Sequence, residues 1–167
     1  MAEALQPLSI RRMRIEDLPQ VIEIDRASFP MPWSDRTYRY ELTRNQAAEL
    51  FVAEREGTIV GYIGTWQIID ECHISTLAVD SSYRRQGIAK SLIEYALRRA
   101  VAKGISTATL EVRVTNGAAI DLYRKFEFEI TGRRKSYYRD NGEDAYIMTA
   151  EKIRTQLTTV EGTLGRS

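Results

Sequence analysis

The chain has 167 residues, of which 43% are hydrophobic and 28% charged, a composition typical of one folded globular domain rather than a disordered or fibrous chain. The 24 Lys and Arg residues oppose 23 Asp and Glu residues, and a net charge of +1 excludes a global field for binding polyanions. Cys72 and His73 are each the only residue of their type, which excludes an intramolecular disulfide, a multi-cysteine zinc site and paired-histidine metal motifs. We therefore expect no metal.

Targeting signals are not evident in the sequence. The first residues, Met1–Ile10, have no basic segment followed by an apolar run, so they do not read as a signal peptide. No stretch approaches the roughly 18 consecutive apolar residues of a membrane-spanning helix. These patterns predict a cytoplasmic protein without membrane contact. We expect one domain over residues 1–154 and a flexible tail over 155–167, which is rich in Thr and Gly.

The first third of the chain predicts one strand and two helices. Leu8–Arg14 alternates weakly and predicts a strand. Glu16–Pro19 predicts a helix start, with acidic residues in the first turn and a proline where a missing amide hydrogen is harmless. The prolines of Phe29–Trp33 should end this helix. A short second helix is predicted over Ser34–Arg44, with Ser34 as its cap.

The middle of the chain predicts three strands. Leu50–Ala53 and Thr58–Ile69 should form a hairpin around the turn Glu56–Gly57. His73–Val79 predicts a further apolar strand. A polar segment follows it before the next helix.

The last part alternates helices and strands. Apolar residues recur with helical spacing over Ile88–Val101, and Gly104 stands where a left-handed cap belongs. Thr107–Val114 then predicts a strand, Asn116–Phe126 a helix, and two closing strands should flank Asp140–Gly142. The resulting order β, α, α, three β, α, β, α, β, β predicts an α/β fold with helices on the faces of a mixed sheet.

One helix start has the features of an anion site. The sequence Arg84-Arg85-Gln86-Gly87-Ile88-Ala89 puts a glycine and two arginines where unpaired amides would favour a phosphate or pyrophosphate. Six basic residues oppose one acidic residue over Arg84–Lys103, and this asymmetry indicates an anionic ligand. The alternative is a plain glycine cap with solvated arginines. The three-glycine dinucleotide motif, the P-loop and the serine-hydrolase elbow are absent.

Together, several motifs resemble the GNAT acetyltransferases. They are Leu77-Ala78-Val79, Arg84-x-x-Gly87-x-Ala89, Leu110-Glu111-Val112-Arg113, Asn116, Ala119-Ile120-x-Leu122-Tyr123 and Phe128. The resemblance implies a mostly antiparallel sheet of about seven strands, about four helices and a splayed acetyl-CoA cleft. It also implies these cofactor-binding residues: Leu77, Ala78, Val79, Arg84, Arg85, Gln86, Gly87, Ile88, Ala89, Lys90, Asn116 and Tyr123.

A narrower resemblance concerns the protein N-terminal acetyltransferase branch, including RimI-like enzymes that acetylate a ribosomal-protein alanine. It is carried by Leu110–Phe128, Tyr137-Tyr138 and Gly142-Glu143-Asp144-Ala145. It implies acetyl-CoA as cosubstrate and direct transfer to a protein N-terminus in a ternary complex. We expect protein or peptide N-termini as partners, a ribosomal protein being one candidate, no nucleic acid, and a monomer or weak homodimer.

The acceptor amine needs a base, for which the candidates are Glu111 and His73. A carboxylate on an apolar strand should have a raised pKa, which would suit Glu111 for this role. Alternatively, Glu111 pairs with Arg113 or with an arginine of a neighbouring strand. The resemblance to RimI-like enzymes favours Glu111 as base, and His73 is a second base, a water holder or a structural residue.

The leaving thiolate needs a hydroxyl donor. Tyr123 is a core aromatic with its hydroxyl at the rim, or, as the family resemblance implies, the general acid, and both interpretations hold together if the ring is buried and its oxygen lies at the sulfur. Backbone N–H groups of Leu77–Val79 are candidates for holding the oxyanion. Cys72 follows Glu71, whose charge disfavours a thiolate, so we expect no covalent acetyl-cysteine.

Peptide recognition is expected at Phe29, Pro30, Tyr137 and Tyr138, because the matching segments flank the substrate entrance in the N-terminal branch. The alternative for Phe29–Trp33 is a loop that merely ends a helix.

Two other acceptors or ligands stay open at this point. The acceptor could be a lysine side chain or a small amine, and Arg133–Arg139, with four basic residues and two tyrosines, could contact RNA or a ribosome. The sequence also departs from the family pattern. Ala89 replaces a commoner glycine, and Glu127 stands where glycine is usual, which puts the turn after the Asn116 helix in doubt.

Overall fold

The computed structural model describes residues 7–153, which contain seven strands and four α-helices joined by turns and loops. The strands are β1 Ser9–Arg12, β2 Ala48–Arg55, β3 Thr58–Ile68, β4 Glu71–Val79, β5 Thr107–Arg113, β6 Glu129–Arg134 and β7 Ala145–Ala150, and the helices are α1 Leu18–Ser28, α2 Asp35–Thr43, α3 Ile88–Ala102 and α4 Gly117–Arg124. This order confirms the predicted succession of elements. Residue 154 and the predicted tail over 155–167 lie outside the described residues.

The strands form one open, mostly antiparallel sheet in the order β1-β2-β3-β4-β5-β7-β6, which confirms the predicted α/β fold class. Strand β1 pairs with β2, and β7 pairs with both β5 and β6, in antiparallel ladders. The parallel ladder between β4 and β5 comprises three pairs and ends at His73 and Thr109. The cofactor cleft remains a prediction.

The chain divides into two units, of which the first contains the described residues up to Thr65 together with Thr76–Tyr95. Apolar residues from α1, α2 and strands β2 and β3 form a core there, among them Leu18, Val21, Tyr38, Val52 and Tyr62. Asp25 of α1 lies inside this core at 1% exposure.

Asp25 accepts three hydrogen bonds within that core. Its Oδ1 accepts from the hydroxyl of Tyr38 at 2.8 Å and from the hydroxyl of Tyr62, and its Oδ2 accepts from the Trp33 amide at 2.8 Å. A buried carboxylate needs such partners, because burial without them is costly. The segment after α1, which contains Phe29, is therefore anchored to the core at Trp33.

The start of α3 packs closely against the strands of this first unit. A Cβ at Gly61 would lie 3.0 Å from the Ala78 carbonyl oxygen and 3.2 Å from Ile88, so a larger residue would force the helix and strand apart. Ile88 and Leu92 are buried, as the predicted helical spacing requires.

The second unit contains Trp66–Ser75 and the described residues from Ala96 onward. Strand β5 alternates, with Ala108, Leu110 and Val112 buried on one face. The opposite face carries Glu111 together with the neighbouring odd-numbered residues. Strand alternation therefore directs the Glu111 carboxylate away from this core.

Local differences from the predicted bounds have simple causes. Asn116 is the N-cap of α4, and its side chain accepts a hydrogen bond from the Ala119 amide at 3.2 Å. Residues 135–144 separate β6 from β7, so the connection around Asp140–Gly142 is longer than a tight hairpin. Glu127 adopts a φ of 61°, the left-handed conformation that the usual glycine would favour. None of the helices in residues 7–153 is long and apolar enough to cross a bilayer.

Candidate active site

Glu111 makes two ionic contacts with residues of other strands. Its Oε2 lies 3.0 Å from Nε2 of His73 on β4, and its Oε1 lies 3.3 Å from Nε of Arg134 on β6. We call Glu111, His73 and Arg134 the carboxylate cluster. Its two inner members, Glu111 and His73, are 14% and 15% exposed, so they are largely shielded from solvent.

His73 is held on three sides. Its Nδ1 lies 3.0 Å from the hydroxyl oxygen of Thr109, and its ring stacks on Trp66 with centroids 5.8 Å apart and planes at 20°. A Thr109 hydroxyl that donates to Nδ1 leaves the imidazole proton on Nε2, which then donates to Glu111. The structure thus joins the two predicted bases into one hydrogen-bonded pair.

The expected raised pKa of Glu111 is wrong. The hydrogen bond and electrostatic interaction with His73, together with the positive charge and hydrogen bond of Arg134, hold the pKa of Glu111 below its usual value, and they outweigh partial burial, which acts the other way. An arginine partner is present, as the alternative predicted, but it is Arg134 of β6, which β7 separates from β5, and not Arg113 or a residue of an adjacent strand. Arg113 instead binds Asp140 and Glu143.

The segment with Tyr137 and Tyr138 is fixed beside strand β5. The Arg113 guanidinium lies 3.9 Å above the Tyr138 ring and donates to both carboxylate oxygens of Asp140, at 3.0 and 2.9 Å. Glu143 accepts hydrogen bonds from the amide and hydroxyl of Thr115. These contacts link the β6–β7 connection, at Tyr138 and after it, to the end of β5 and the turn that follows β5.

The two tyrosines lie in the electrostatic field of the carboxylate cluster. Burial raises the pKa of Tyr138 to about 12, and burial together with the charge of Glu111 raises the pKa of Tyr137. The rings of Tyr137 and Tyr138 meet edge to face with centroids 5.1 Å apart. Arg134, which contacts Glu111, lies 5.9 Å from the centre of the Tyr137 ring, so the tyrosine pair neighbours the carboxylate cluster.

Tyr123 is a buried residue of α4 that packs edge to face on Phe128, with centroids 5.7 Å apart. Burial, with a smaller contribution from nearby Tyr138, raises the pKa of Tyr123 well above its usual value. Its hydroxyl is therefore protonated at neutral pH and can act as a donor. The ring is therefore a core aromatic, in agreement with one of the two interpretations of this residue.

The segment Arg84–Lys90, which we call the anion loop, belongs to the first unit. Arg85 and Gly87 adopt positive φ values of 63° and 77°, and a Cβ at Gly87 would meet nothing within 4 Å. Residues 84–87 are exposed, whereas Ile88 is buried and anchors the first turn of α3. The side chain of Gln86 bonds to Arg55 of β2. Exposed amides at a helix start form a polar, positive site that fits a phosphate.

The structure places the other predicted site residues as follows. Leu77, Ala78 and Val79 end strand β4 in the first unit, and the Asp80 amide that follows donates to the Val60 carbonyl at 2.8 Å. Phe29 ends α1, half-buried against the core, and Pro30 is exposed. The second unit brings together Glu111, His73, Tyr123, Tyr137 and Tyr138.

Sequence reasoning missed the roles of Arg134, Thr109, Trp66 and Arg113 around this site. Thr109 could have been found, because it shares the Glu111 face of β5 by alternation. The register that sets Arg134 opposite Ala145, and thereby within reach of β5, includes an irregularity between Ile130 and Gly132 that no local pattern reveals. Residues 7–153 contain no group of three His, Cys, Asp or Glu residues arranged for a metal ion.

Comparisons with known proteins agree on one family. The Acetyltransferase (GNAT) family matches residues 18–128. A Bacillus subtilis (strain 168) protein with the provisional name ribosomal protein bS18-alanine N-acetyltransferase is 40% identical over 140 residues, covering 84% of this chain and 93% of that protein.

Solved structures show a similar fold over most of the chain. The ribosomal-protein-S18-alanine N-acetyltransferase from Escherichia coli aligns with a TM-score of 0.79 and 31% identity, covering 86% of this chain and 93% of that one. The NatC complex bound to Gag peptide and CoA aligns with a TM-score of 0.73 and 27% identity, covering 86% and 98%.

Proposed function

The chain belongs to the GNAT family of acetyltransferases, and from that premise we propose that it transfers the acetyl group of acetyl-CoA to the α-amine at a protein N-terminus. The observation that carries the proposal is the hydrogen-bonded pair of His73 and Glu111 in the same environment as Tyr137 and Tyr138. A carboxylate held ionised beside two aromatic hydroxyls suits an incoming ammonium group.

The names of two relatives support an α-amine as acceptor. Each is named for acetylation of an alanine nitrogen, and alanine has no nitrogen in its side chain, so the acceptor in those proteins is the backbone amine. An α-amine, with a pKa of about 8, is also about 3 kcal/mol easier to deprotonate than lysine at neutral pH. A weakly basic carboxylate is therefore sufficient for this acceptor.

We assign the acid and base roles to residues of the second unit. Glu111 accepts the proton of the substrate ammonium, directly or through one water, while His73 orients the carboxylate through its Nε2 proton. Tyr123, kept protonated by burial, donates to the departing sulfur. Tyr137 and Tyr138 are assigned to the peptide backbone, and Phe29 and Pro30 to its first residues.

Acetyl-CoA supplies the thioester and its thiolate leaving group, and the anion loop fits its pyrophosphate. Positive φ values at Arg85 and Gly87 turn the backbone where α3 begins, and the exposed Arg84 and Arg85 add positive charge. CoA in the NatC structure supports this choice of cosubstrate. The backbone of Leu77–Val79 and the Asn116 side chain are assigned to the pantetheine arm.

Two competing functions are less favoured by the contacts. The proposed RNA-binding segment Arg133–Arg139 has two basic side chains engaged with carboxylates, Arg133 with Asp144 and Arg134 with Glu111. A lysine acceptor would ask for a stronger base than a carboxylate with a lowered pKa. The ribosomal-protein acceptors of the relatives favour a cytoplasmic enzyme, and we expect a monomer or weak homodimer.

The test uses two peptides with an internal lysine and an alanine at position 1, one with a free N-terminus and one with a blocked N-terminus. We expect release of CoA thiol and a single acetyl group on the free peptide, with no turnover of the blocked peptide. Acetylation of the blocked peptide would identify a lysine acceptor. Absence of transfer to either peptide, with acetyl-CoA binding intact, would contradict the proposed acceptor class.

A further inference from the structure

The two basic side chains in contact with Glu111 are held very differently. His73 is 15% exposed and is fixed by Thr109 and Trp66 in addition to Glu111. Arg134 is 53% exposed, and its Nε lies 3.3 Å from Oε1 of Glu111. Solvent screens the exposed guanidinium side of this ion pair, which weakens the contact with Arg134 relative to the shielded contact with His73. Arg134 is therefore the partner that can leave at little cost.

Arg134 lies where the substrate ammonium has to approach the carboxylate of Glu111. A substrate α-amine arrives mostly protonated at neutral pH, and its ammonium needs an oxygen of the base within hydrogen-bond reach. His73 holds Oε2 of Glu111, and the guanidinium of Arg134 lies at Oε1. The oxygen available to the substrate is thus the one that Arg134 covers.

We propose that Arg134 is a displaceable stand-in for the substrate ammonium, which takes its place at Oε1 of Glu111 when the peptide binds. This inference rests on the proposed function. The exchange replaces one cation by another, so Glu111 keeps the same net charge around it and no buried carboxylate is left without a partner at any stage.

The ring of Tyr137 offers the Arg134 guanidinium an alternative partner once it has left Glu111. The guanidinium lies 5.9 Å from the centre of the Tyr137 ring, close enough for a cation–π interaction after release from Glu111. The charged and titratable groups that interact with Glu111 include His73, Arg134, Tyr137 and Tyr138. Of these four, Arg134 carries the permanent positive charge that competes with an ammonium.

The neighbouring residue Arg133 provides a matched control. It has the same side chain on the same strand and is 52% exposed, yet it pairs with Asp144 at 2.7 Å and stacks over Tyr146. Arg133→Gln therefore removes an equivalent surface charge without touching Glu111.

The experiment measures binding of the free and blocked alanine peptides in the presence of CoA, which binds but cannot react. We expect Arg134→Gln to bind the free-amine peptide about three- to tenfold more tightly than the wild type, because its ammonium no longer displaces a cation. The blocked peptide should bind equally to both. Arg134→Lys should restore the wild-type affinity for the free peptide. Arg133→Gln should leave the affinity for both peptides unchanged.

Weaker binding of the free peptide by Arg134→Gln, or an equal change for both peptides, would overturn the proposal. A readout without peptide separates this failure from failure of the proposed function. Arg134→Gln should raise the pKa of Glu111, followed through the imidazole NMR signals of His73, which are unambiguous because the chain has one histidine. If this pKa rises but no peptide is bound or acetylated by the wild type, the ion pair exists and the proposed function fails.

Discussion

The anion loop and the carboxylate cluster are built from different parts of the chain. The loop is a continuous segment, Arg84–Lys90, and it offers backbone amides on an exposed turn. The cluster consists of side chains from β4, β5 and β6, brought together by strand register. We therefore expect the loop to tolerate loss of a single side chain, whereas loss of one carboxylate should disable the cluster.

The largest effect should come from Glu111→Gln, which keeps the shape of the side chain but removes its charge. We expect kcat to fall about 100-fold with little change in the KM for acetyl-CoA, because general base catalysis is lost and cofactor binding is not. Glu129→Gln on the exposed face of β6 is the control. A large loss of acetyl-CoA affinity with normal turnover at saturation would reverse the assignment.

The lowered pKa of Glu111 predicts a specific pH dependence of the stability of the fold. Because this pKa lies below the usual 4.5 in the folded protein, Glu111 stabilises the fold above pH 4.5, and that contribution is lost as pH falls through the folded pKa. The wild type and Glu111→Gln should therefore differ in thermal stability at pH 7 and converge in acid. Activity should instead rise with pH toward the amine pKa of about 8.

Tyr123→Phe should have the next largest effect. Removing the hydroxyl keeps the ring against Phe128, so the fold should be preserved while protonation of the thiolate is lost. We expect kcat to fall about tenfold and the dissociation constant of acetyl-CoA to stay nearly constant, measured by stopped-flow assays and calorimetry. An unchanged kcat would leave Tyr123 with a packing role alone.

The two regions also differ in how far the sequence predicted them. The loop could be located from Gly87, the arginines and the helical spacing that begins at Ile88, since all of these are local. The contact between His73 and Glu111 could not, because it depends on the parallel register that pairs His73 with Thr109. The pKa of Glu111 was predicted in the wrong direction, since burial could be guessed from apolar neighbours, whereas the strand register that brings His73 and Arg134 to the carboxylate could not.

The order of helices and strands was predictable because each element has its own hydrophobic periodicity and is bounded by capping or turn residues. Ser34 caps α2 through the Thr37 amide, and Gly104 ends the α3 region with a φ of 82°. Glu127 was the opposite case. Its left-handed φ gives the turn after α4 the conformation that glycine favours, and a non-glycine residue adopts this conformation only with backbone strain.

Arg84→Ala tests the loop with a smaller expected effect. We expect acetyl-CoA to bind about tenfold more weakly, because one charge-assisted contact to the pyrophosphate is lost while the amides remain. Turnover at saturating acetyl-CoA should change little. The exposed Arg26 of α1 provides the control, as Arg26→Ala removes an equal charge elsewhere in the same unit. Isothermal titration of both variants with acetyl-CoA distinguishes the loss of a local contact at Arg84 from the general effect of removing one positive charge.

Cys72→Ala should have the smallest effect and decides whether the cluster acts by direct transfer. Cys72 is buried on β4 next to His73, and alternation along the strand turns its thiol to the opposite face from the imidazole. A thiol there is poorly placed to carry an acetyl group, so kcat/KM should stay within about twofold, with a stability loss of about 1 kcal/mol from the trimmed core. Abolished transfer with unchanged thermal unfolding would require a covalent acetyl-cysteine and would move the chemistry away from Glu111.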